Sequence, residues 1–256
     1  MSWKHLVFAV LACFVAIVAN AQDAPQNLNV VAIKINPGGQ AAFEAFMLKY
    51  RAAVEKNGDD RTWAVSTNAI GPITQYTITS PLPSFAVLDN PPNPLASMAQ
   101  AFGEQEAAAT LASIQGMVAE TDGRAWIARP DLSRPIDSDD PPVGFNIIFL
   151  DVKPGGGLAF ESYAKQLVEA SNKTDDGNWF MAIGAPGAPS EYLVSIPIFK
   201  WADLDTPQGM PLRERMIAAF GERDGGKMYA AGVASIEAIT TSLIRTRPDL
   251  SRPPPE

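Results

Sequence analysis

The two halves of the chain repeat one order of hydrophobic and polar positions. Each begins with a run rich in β-branched residues, 28–35 or 145–152, that ends at Pro-Gly-Gly, which is typical of a strand followed by a chain breaker. Large apolar residues then recur at helical spacing, which predicts a helix with one face in the core. These apolar residues are Phe43, Phe46, Met47, Tyr50 and Val54 in the first half, and Phe160, Tyr163, Ala164 and Leu167 in the second.

Two short runs follow each predicted helix. They span 62–68 and 74–80 in the first half, and 179–183 and 191–196 in the second. In both halves the runs are separated by residues rich in Gly and Pro, so each pair predicts an antiparallel hairpin.

A second helical region and a last strand complete each half. We expect the helical region to bend at Gly103 and Gly221, because Gly costs about 1 kcal/mol relative to Ala inside a helix. The last strand is predicted at 124–128 and at 242–246. The resulting order, β-α-β-β-α-β, predicts an α+β ferredoxin-like unit, in which helices cover one face of a four-stranded sheet.

Two segments return almost unchanged 118 positions later. Ala-Phe-Gly-Glu occurs at 101–104 and at 219–222, and Arg-Pro-Asp-Leu-Ser-Arg-Pro occurs at 129–135 and at 247–253. A repeat of this length is a whole small domain rather than one turn of a solenoid. The chain is therefore predicted to contain two copies of one folding unit.

The domain boundaries follow from this duplication. We predict a first ferredoxin-like repeat over 27–135, a polar, Pro-containing linker over 136–143, and a second repeat over 144–253. A ferredoxin-like unit leaves one face of its sheet bare. Two units in one chain can cover these faces by packing sheet to sheet.

Residues 1–21 have the pattern of a signal peptide. A short basic start precedes an apolar run over 6–18 and a small-x-small cleavage site before Gln22. We therefore predict export to the periplasm or the extracellular space. A lipobox-like sequence ending at Cys13 keeps lipid anchoring open as an alternative. No later run reaches the ~18 apolar residues of a membrane span, so stable membrane insertion is not expected.

Composition narrows the chemistry that the mature chain can carry out. The only cysteine of the full sequence, Cys13, and its only histidine, His5, both lie in the predicted signal peptide and are absent from the mature chain. Thiol nucleophiles, disulfides, a Ser-His-Asp triad and conventional zinc sites are therefore excluded, and no metal or other cofactor is predicted. The net charge of −8 disfavours nucleic-acid binding.

The element order, the bent second helix and the mutual covering of two sheets resemble the dimeric α/β-barrel superfamily in a fused, two-copy form. The resemblance covers nearly all of 27–253 and is strongest to the NIPSNAP-like and antibiotic-biosynthesis-monooxygenase-like branches. It implies an intramolecular barrel. It does not select a function, since members include cofactor-free monooxygenases, isomerases, haem enzymes and proteins without known activity. Haem-binding members use a histidine ligand, which the mature chain lacks.

Cofactor-free monooxygenases of this superfamily place Asn, Trp and Tyr around an aromatic substrate. Matching aromatic residues occur in the two predicted hairpins, and matching asparagines occur inside the two first strands. The candidate ligand-binding residues are Asn29, Trp63, Tyr76, Asn146, Trp179 and Tyr192. Alternatively, the aromatic residues pack the core and the amides bind backbone, because an unsatisfied buried amide costs ~1–3 kcal/mol.

Charged residues at matching positions also have two interpretations. Glu44 or Glu161 could act as a general base if a dry pocket raised its pKa, or Glu161 could form an ordinary i, i+4 pair with Lys165. Arg129 and Arg247 could bind anions, or each could pair with the Asp two residues later where the last strand ends. No catalytic residue is assigned.

The sequence predicts an exported small-molecule-binding protein without catalytic activity. Its expected partners are a small apolar or aromatic ligand and further copies of itself. One alternative is a cofactor-independent monooxygenase-like or isomerase-like enzyme acting on an aromatic or enolisable compound. Another is a structural or interaction module.

Overall fold

The computed structural model describes residues 27–134, 138, 140–186, 191–206 and 209–254. The predicted signal peptide, including Cys13, lies outside the described residues, and so do positions 136, 137 and 139 of the predicted linker. The elements of the first half are β1 (Asn27–Ile35), α1 (Gln40–Lys56), β2 (Ala64–Asn68), β3 (Gln75–Leu82), α2 (Pro94–Phe102), α3 (Glu104–Ile114) and β4 (Val118–Ala128). Those of the second half are β5 (Gly144–Val152), α4 (Gly157–Thr174), β6 (Phe180–Gly184), β7 (Glu191–Ile198), α5 (Leu212–Phe220), α6 (Glu222–Ser235) and β8 (Ile236–Thr246).

Both halves have the predicted order, and the second helical region is interrupted where expected. Gly103 separates α2 from α3 with φ 93°, and Gly221 separates α5 from α6 with φ 85°. A side chain at these angles would be strained, whereas glycine adopts them readily. The last strands are longer than predicted, since β4 begins at Val118 and β8 at Ile236. The start of β4 was missed because its first seven residues are exposed and mostly polar, without an alternating pattern.

The chain divides into two compact units. Among the described residues, the first unit holds those up to 125 together with 244–254, and the second holds 126–243. Each unit therefore contains three whole strands of one repeat, the beginning of that repeat's last strand, and the end of the last strand of the other repeat. The repeat boundaries predicted above describe the duplication in the sequence, whereas the compact units are divided within the last strands.

Strand pairing accounts for this division. The first unit has the strand order β1-β3-β2-β8, with Ile33 opposite Tyr76 and Ser66 opposite Thr246. The second has the order β5-β7-β6-β4, with Ala128 opposite Ala182. All these pairs are antiparallel.

One hydrophobic core lies between sheet and helices in each unit. The predicted stripe on α1 faces the first core, where Phe43 and Val54 are almost completely buried. The stripe on α4 faces the second core in the same way, through Phe160 and Ala164. Among the described helices, none is both long and apolar enough to cross a membrane.

Candidate functional site

The repeated segment after each last strand, 129–135 and 247–253, is called the repeated motif below. Its leucines, Leu132 and Leu250, are fully buried in the cores. Trp63 Nε1 donates to the Leu250 carbonyl at 3.0 Å, and Trp179 Nε1 donates to the Leu132 carbonyl at 2.8 Å. Both tryptophans are buried with their indole N–H satisfied, so the structure uses these predicted ligand-binding residues to hold the motif.

The serine of the motif bonds to the hairpin of the same unit. Ser251 Oγ accepts a hydrogen bond from the Val65 amide at 2.8 Å, and Ser133 Oγ accepts one from the Met181 amide at 2.8 Å. The motif thus extends the sheet with a side-chain bond where the strand ladder stops. These bonds give the serine the same structural role in both copies of the motif.

In the first unit the first arginine of the motif, Arg247, forms a cluster with a tyrosine and two carboxylates. Arg247 Nη1 donates to Glu44 Oε1 at 2.6 Å, and the Tyr76 hydroxyl donates to the same oxygen at 2.7 Å. Arg247 also donates to both carboxylate oxygens of Asp249, at 2.9 and 2.7 Å. Tyr76, Glu44, Arg247 and Asp249 form the Tyr–Glu–Arg–Asp cluster of this unit.

The second unit contains the equivalent cluster. Arg129 donates to both oxygens of Glu161, at 2.6 and 3.0 Å, and Tyr192 donates to Glu161 Oε1 at 3.1 Å. Asp131 accepts from Arg129 Nε at 2.8 Å and lies 3.7 Å from Lys165 Nζ. The i, i+4 pair expected between Glu161 and Lys165 is therefore replaced, because Arg129 reaches the glutamate and Lys165 pairs with Asp131. The predicted Arg–Asp pairing is confirmed.

The electrostatics of these clusters oppose acid–base catalysis. Hydrogen bonds from Arg247 lower the pKa of Glu44, and those from Arg129 lower the pKa of Glu161. Burial, together with the neighbouring carboxylate, raises the pKa of Tyr76 to about 12, and Tyr192 is shifted in the same way. A general base works best with a pKa near the operating pH. The pKa values of both glutamates are lowered, whereas a general base at neutral pH would need a raised one.

The same contacts bear on the anion sites considered for Arg129 and Arg247. Each guanidinium already donates to one Glu and one Asp carboxylate. The charge of each guanidinium is therefore already offset by carboxylates, which favours the pairing interpretation over an anion site.

The predicted asparagines lie apart from the tyrosines. Asn29 lies four residues before Ile33, the partner of Tyr76, which corresponds to about 13 Å along a strand. Asn146 stands in the same relation to Tyr192. Both amides are half-buried on the strand. Within each unit, the predicted aromatic residues are packed in the core, and the predicted asparagine lies farther along the sheet.

An open groove of about 780 Å³ lies in the helical layer of the first unit, between α1 and α3. This groove was not predicted from the sequence. Its walls include Phe46, Lys49, Phe102, Glu106, Ala109 and Thr110. Lys49 Nζ is paired with Glu106 across the groove and lies 5.5 Å from the centre of the Phe102 ring.

Two positions of the corresponding surface of the second unit carry larger residues. A shift of 118 positions places Lys227 at the position of Ala109 and Met228 at that of Thr110. Met228 packs against the second core. Comparing the repeats position by position would have revealed this difference in the sequence, although it would not have shown that the smaller residues border a groove.

Imidazole and thiolate ligands for a metal are missing from the described ranges. These ranges contain neither His nor Cys, so the imidazole ligand used by haem-binding members of the superfamily is missing from them. Within the same ranges, no group of three or more Asp or Glu residues is placed to hold a metal ion.

The two α+β units, taken with the similarity to solved structures, define the dimeric α/β-barrel fold that was predicted. A putative monooxygenase from Lactobacillus acidophilus matches with a TM-score of 0.52 and 6% identity over 87% of this chain and 94% of that chain. An anthrone oxidase-like protein matches with a TM-score of 0.52 and 9% identity over 88% and 92%. A mutant chlorite dismutase from Candidatus Nitrospira defluvii in complex with cyanide matches with a TM-score of 0.52 and 6% identity over 90% and 95%.

These identities show a shared fold and do not carry over an activity. No protein-family model matches the sequence. No curated protein matches it either.

Proposed function

We propose that this chain is an exported small-molecule-binding protein without catalytic activity, a fused tandem member of the dimeric α/β-barrel superfamily close to its NIPSNAP-like and antibiotic-biosynthesis-monooxygenase-like branches. One observation carries the binding proposal. The first unit has a groove of about 780 Å³, and two of the positions that line it carry larger side chains in the second repeat, Lys227 and Met228.

The volume and the asymmetry both support binding. Small-molecule sites in proteins usually enclose about 300–1,000 Å³ and combine apolar walls with a few polar groups. The groove has Phe46 and Phe102 as apolar walls and Lys49 and Glu106 as polar groups. A duplicated chain needs only one specialised site, and the two copies can then differ at the positions that line it.

The absence of catalysis is supported by the two Tyr–Glu–Arg–Asp clusters. Their glutamates are held ionised by arginine, and their tyrosines stay protonated at neutral pH. Neither group has the pKa that proton transfer near neutral pH requires. We therefore assign the clusters to holding the repeated motif in place.

The binding proposal can be tested by filling the groove with the residue of the other repeat. Ala109→Lys places the second repeat's lysine in the groove, and Lys227→Ala is the matched control on the exposed surface of the second unit. A library of small apolar and aromatic compounds would be screened by thermal shift, and native mass spectrometry of the purified chain would reveal a co-purified ligand. We expect compounds that stabilise the wild type and Lys227→Ala but not Ala109→Lys. Equal responses from all three proteins would contradict the proposal.

A second candidate is a cofactor-independent monooxygenase-like or isomerase-like enzyme acting on an aromatic or enolisable compound. It is favoured by the names of the similar structures, which include a putative monooxygenase and an anthrone oxidase-like protein. Oxygen uptake with anthrones and phenols, and deuterium exchange into enolisable ketones, would test it. Turnover above the buffer rate that is lost in Ala109→Lys and kept in Lys227→Ala would replace the non-catalytic proposal.

A further inference from the structure

We propose that this chain forms dimers in which two copies exchange residues 244–253, called the exchange segment below. In such a dimer, the end of β8 and the repeated motif of each copy complete the first unit of the other copy. The proposal rests on how the first unit recognises this segment, on the separation of the contacting residues along the chain, and on the exposure of the preceding part of β8. It goes beyond the small-molecule function and does not depend on it.

The first unit holds the exchange segment with one continuous stretch of chain. This stretch, residues 44–68, comprises most of α1, the loop after it and β2, and is called the docking surface. The end of β8 pairs with β2 as an antiparallel strand, with Ser66 opposite Thr246. Beyond this ladder, Trp63 and Arg252 exchange two backbone hydrogen bonds, at 3.1 and 2.9 Å. The segment is therefore added to β2 as a further strand, which is how many proteins bind extended peptides.

Side chains of the exchange segment are also recognised individually. The Leu250 side chain is fully buried in the first core. Arg252 is buried as well, and its guanidinium donates to the backbone carbonyls of Asp59 and Arg61. A pocket for leucine, together with carbonyls placed to bind a guanidinium, makes the docking surface selective for this sequence.

Both copies of the repeated motif dock on the repeat to which they do not belong. Residues 247–253 belong to the second repeat and dock on 44–68 of the first, whereas 129–135 belong to the first repeat and dock on 161–181 of the second. Recognition therefore acts between repeats. A second copy of the chain carries an identical segment and an identical docking surface, so it offers the same bonds. Exchange of an identical element is a low-cost route to dimers, because the contacts of the monomer are made again.

Of the two motifs, 247–253 is the one that a second copy replaces more readily. Arg247 and Glu44 lie 203 positions apart, whereas Arg129 and Glu161 lie 32 positions apart. Closing the longer loop costs more chain entropy during folding. The contact within one chain then has a smaller advantage over the same contact from a second chain. Competition between copies is therefore expected at the docking surface of the first unit.

The part of β8 before the exchange segment adds little packing that would hold the segment in place. The chain passes from the second unit to the first at residue 244. Residues 237–241 are exposed, and they include Ile239 with 59% of its surface exposed. A stretch with few buried side chains opens at a lower free-energy cost than a buried one. The main cost of undocking is therefore the loss of the segment's own contacts, above all the burial of Leu250.

Opposite charge reversals in two chains test the exchange. Glu44→Arg and Arg247→Glu each place like charges together within one chain. In a dimer of these two variants that exchanges the segment, opposite charges meet at both docking surfaces. The variants would be unfolded in urea, mixed, refolded at high protein concentration and weighed by native mass spectrometry. Because like charges at a contact are strongly unfavourable, we expect about tenfold more heterodimer than homodimer of either variant.

Two controls accompany this mixture. The double variant Glu44→Arg/Arg247→Glu carries the reversed pair in one chain and should refold to the circular dichroism spectrum of the wild type. Arg213→Glu and Glu222→Arg reverse an exposed ion pair within the second repeat, so their mixture should contain no excess of heterodimer. Excess heterodimer in both mixtures would overturn the exchange, and so would its absence from both while the double variant folds.

A measurement on the wild type makes the test independent of whether the variants fold. The chain would be refolded at high protein concentration, with and without an excess of a synthetic peptide of residues 246–253. We expect a dimer that this peptide suppresses and that the same peptide carrying Leu250→Ala leaves unchanged. Refolding to monomers alone at every concentration overturns the proposal, and so does a dimer that the peptide does not affect. These results leave the groove untouched, so they do not decide the small-molecule proposal.

Discussion

Arg215 Nη2 donates to Asp176 Oδ2 at 2.8 Å in the second unit, with 6% of the arginine side chain exposed. The equivalent aspartate of the first unit, Asp59, is paired with Arg61 instead. The first unit has Ser97 at the position of Arg215. Each unit therefore retains an arginine against the same aspartate but takes it from a different element, which identifies the ion pair as a structural requirement of the fold.

We expect Arg215→Ala to destabilise the second unit strongly. Removing the buried guanidinium leaves the partly buried Asp176 carboxylate uncompensated, and the cost should approach the about 3–5 kcal/mol that is typical of a fully buried pair. Urea unfolding monitored by circular dichroism would measure the loss. Arg213→Ala is the control, because the exposed pair of Arg213 with Glu222 is worth ~0–1 kcal/mol.

The replacement between repeats can be tested directly. The position of Arg61 is held in the second repeat by Gly177, whose carbonyl accepts from Arg134 and whose φ of 78° favours glycine, and Asn178 is the next residue. Adding Asn178→Arg to Arg215→Ser places an arginine one residue from the position that Arg61 has in the first unit, and we expect it to recover part of the stability lost in Arg215→Ser alone. If the double variant is no more stable than Arg215→Ser alone, an arginine near position 61 of the first unit cannot replace Arg215.

The Glu44 carboxylate should make stability depend on pH in the acid range. Its pKa is lowered by Arg247 below the usual 4.5, so the folded state binds its proton less readily than the unfolded state does. The stabilisation is present above pH about 4.5 and is lost as the pH falls through the lower folded value.

Urea unfolding between pH 2 and pH 7 would measure this dependence. Glu44→Gln should lower stability at pH 7 and flatten the decline at acid pH. Glu169→Gln, at an exposed helix-surface pair, is the control and should keep the wild-type decline. An unchanged acid profile in Glu44→Gln would contradict the assigned role of the cluster.

Two glycines of α6 should respond oppositely to alanine. A Cβ at Gly232 would lie 2.1 Å from Cγ of Tyr163, so Gly232→Ala must displace the ring, at about 1–3 kcal/mol. A Cβ at Gly226 would meet nothing within 4 Å, so Gly226→Ala should stabilise the helix by up to about 1 kcal/mol. Thermal unfolding midpoints of the two variants would show opposite shifts. A stabilising Gly232→Ala would mean that Tyr163 does not pack there.

Export should leave a mature protein that begins at Gln22. Intact-mass analysis of the protein from culture medium or periplasm would show the loss of residues 1–21. Cys13→Ala should not change that mass, since cleavage after Ala21 does not involve the cysteine. A lipid-modified N-terminus at Cys13, lost in the same variant, would establish the anchored alternative instead.

Local features of the structure could be predicted from the sequence. The apolar stripe on α1 and the breaks at Gly103 and Gly221 depend on residues within a few positions of one another, and they were confirmed. The aromatic positions Trp63 and Tyr76 were correctly matched to Trp179 and Tyr192. Their packing in the cores corresponds to the alternative interpretation given for them.

Contacts between distant segments could not be predicted in this way. The expected Glu161–Lys165 pair was wrong, because i, i+4 spacing cannot show that Arg129 lies closer to the glutamate. Arg247 and Glu44 are 203 positions apart, and no local pattern links them. The division of the units within the last strands was also missed, because backbone hydrogen bonds join strands without specifying which strand is the partner.

The sequence by itself determined the duplication, the order of the elements and the buried faces of the helices, since periodicity and chain breakers act over short distances. Only the tertiary structure decided which carboxylate each arginine meets and where a groove stays open. Those features depend on side chains that pack together from distant parts of the chain.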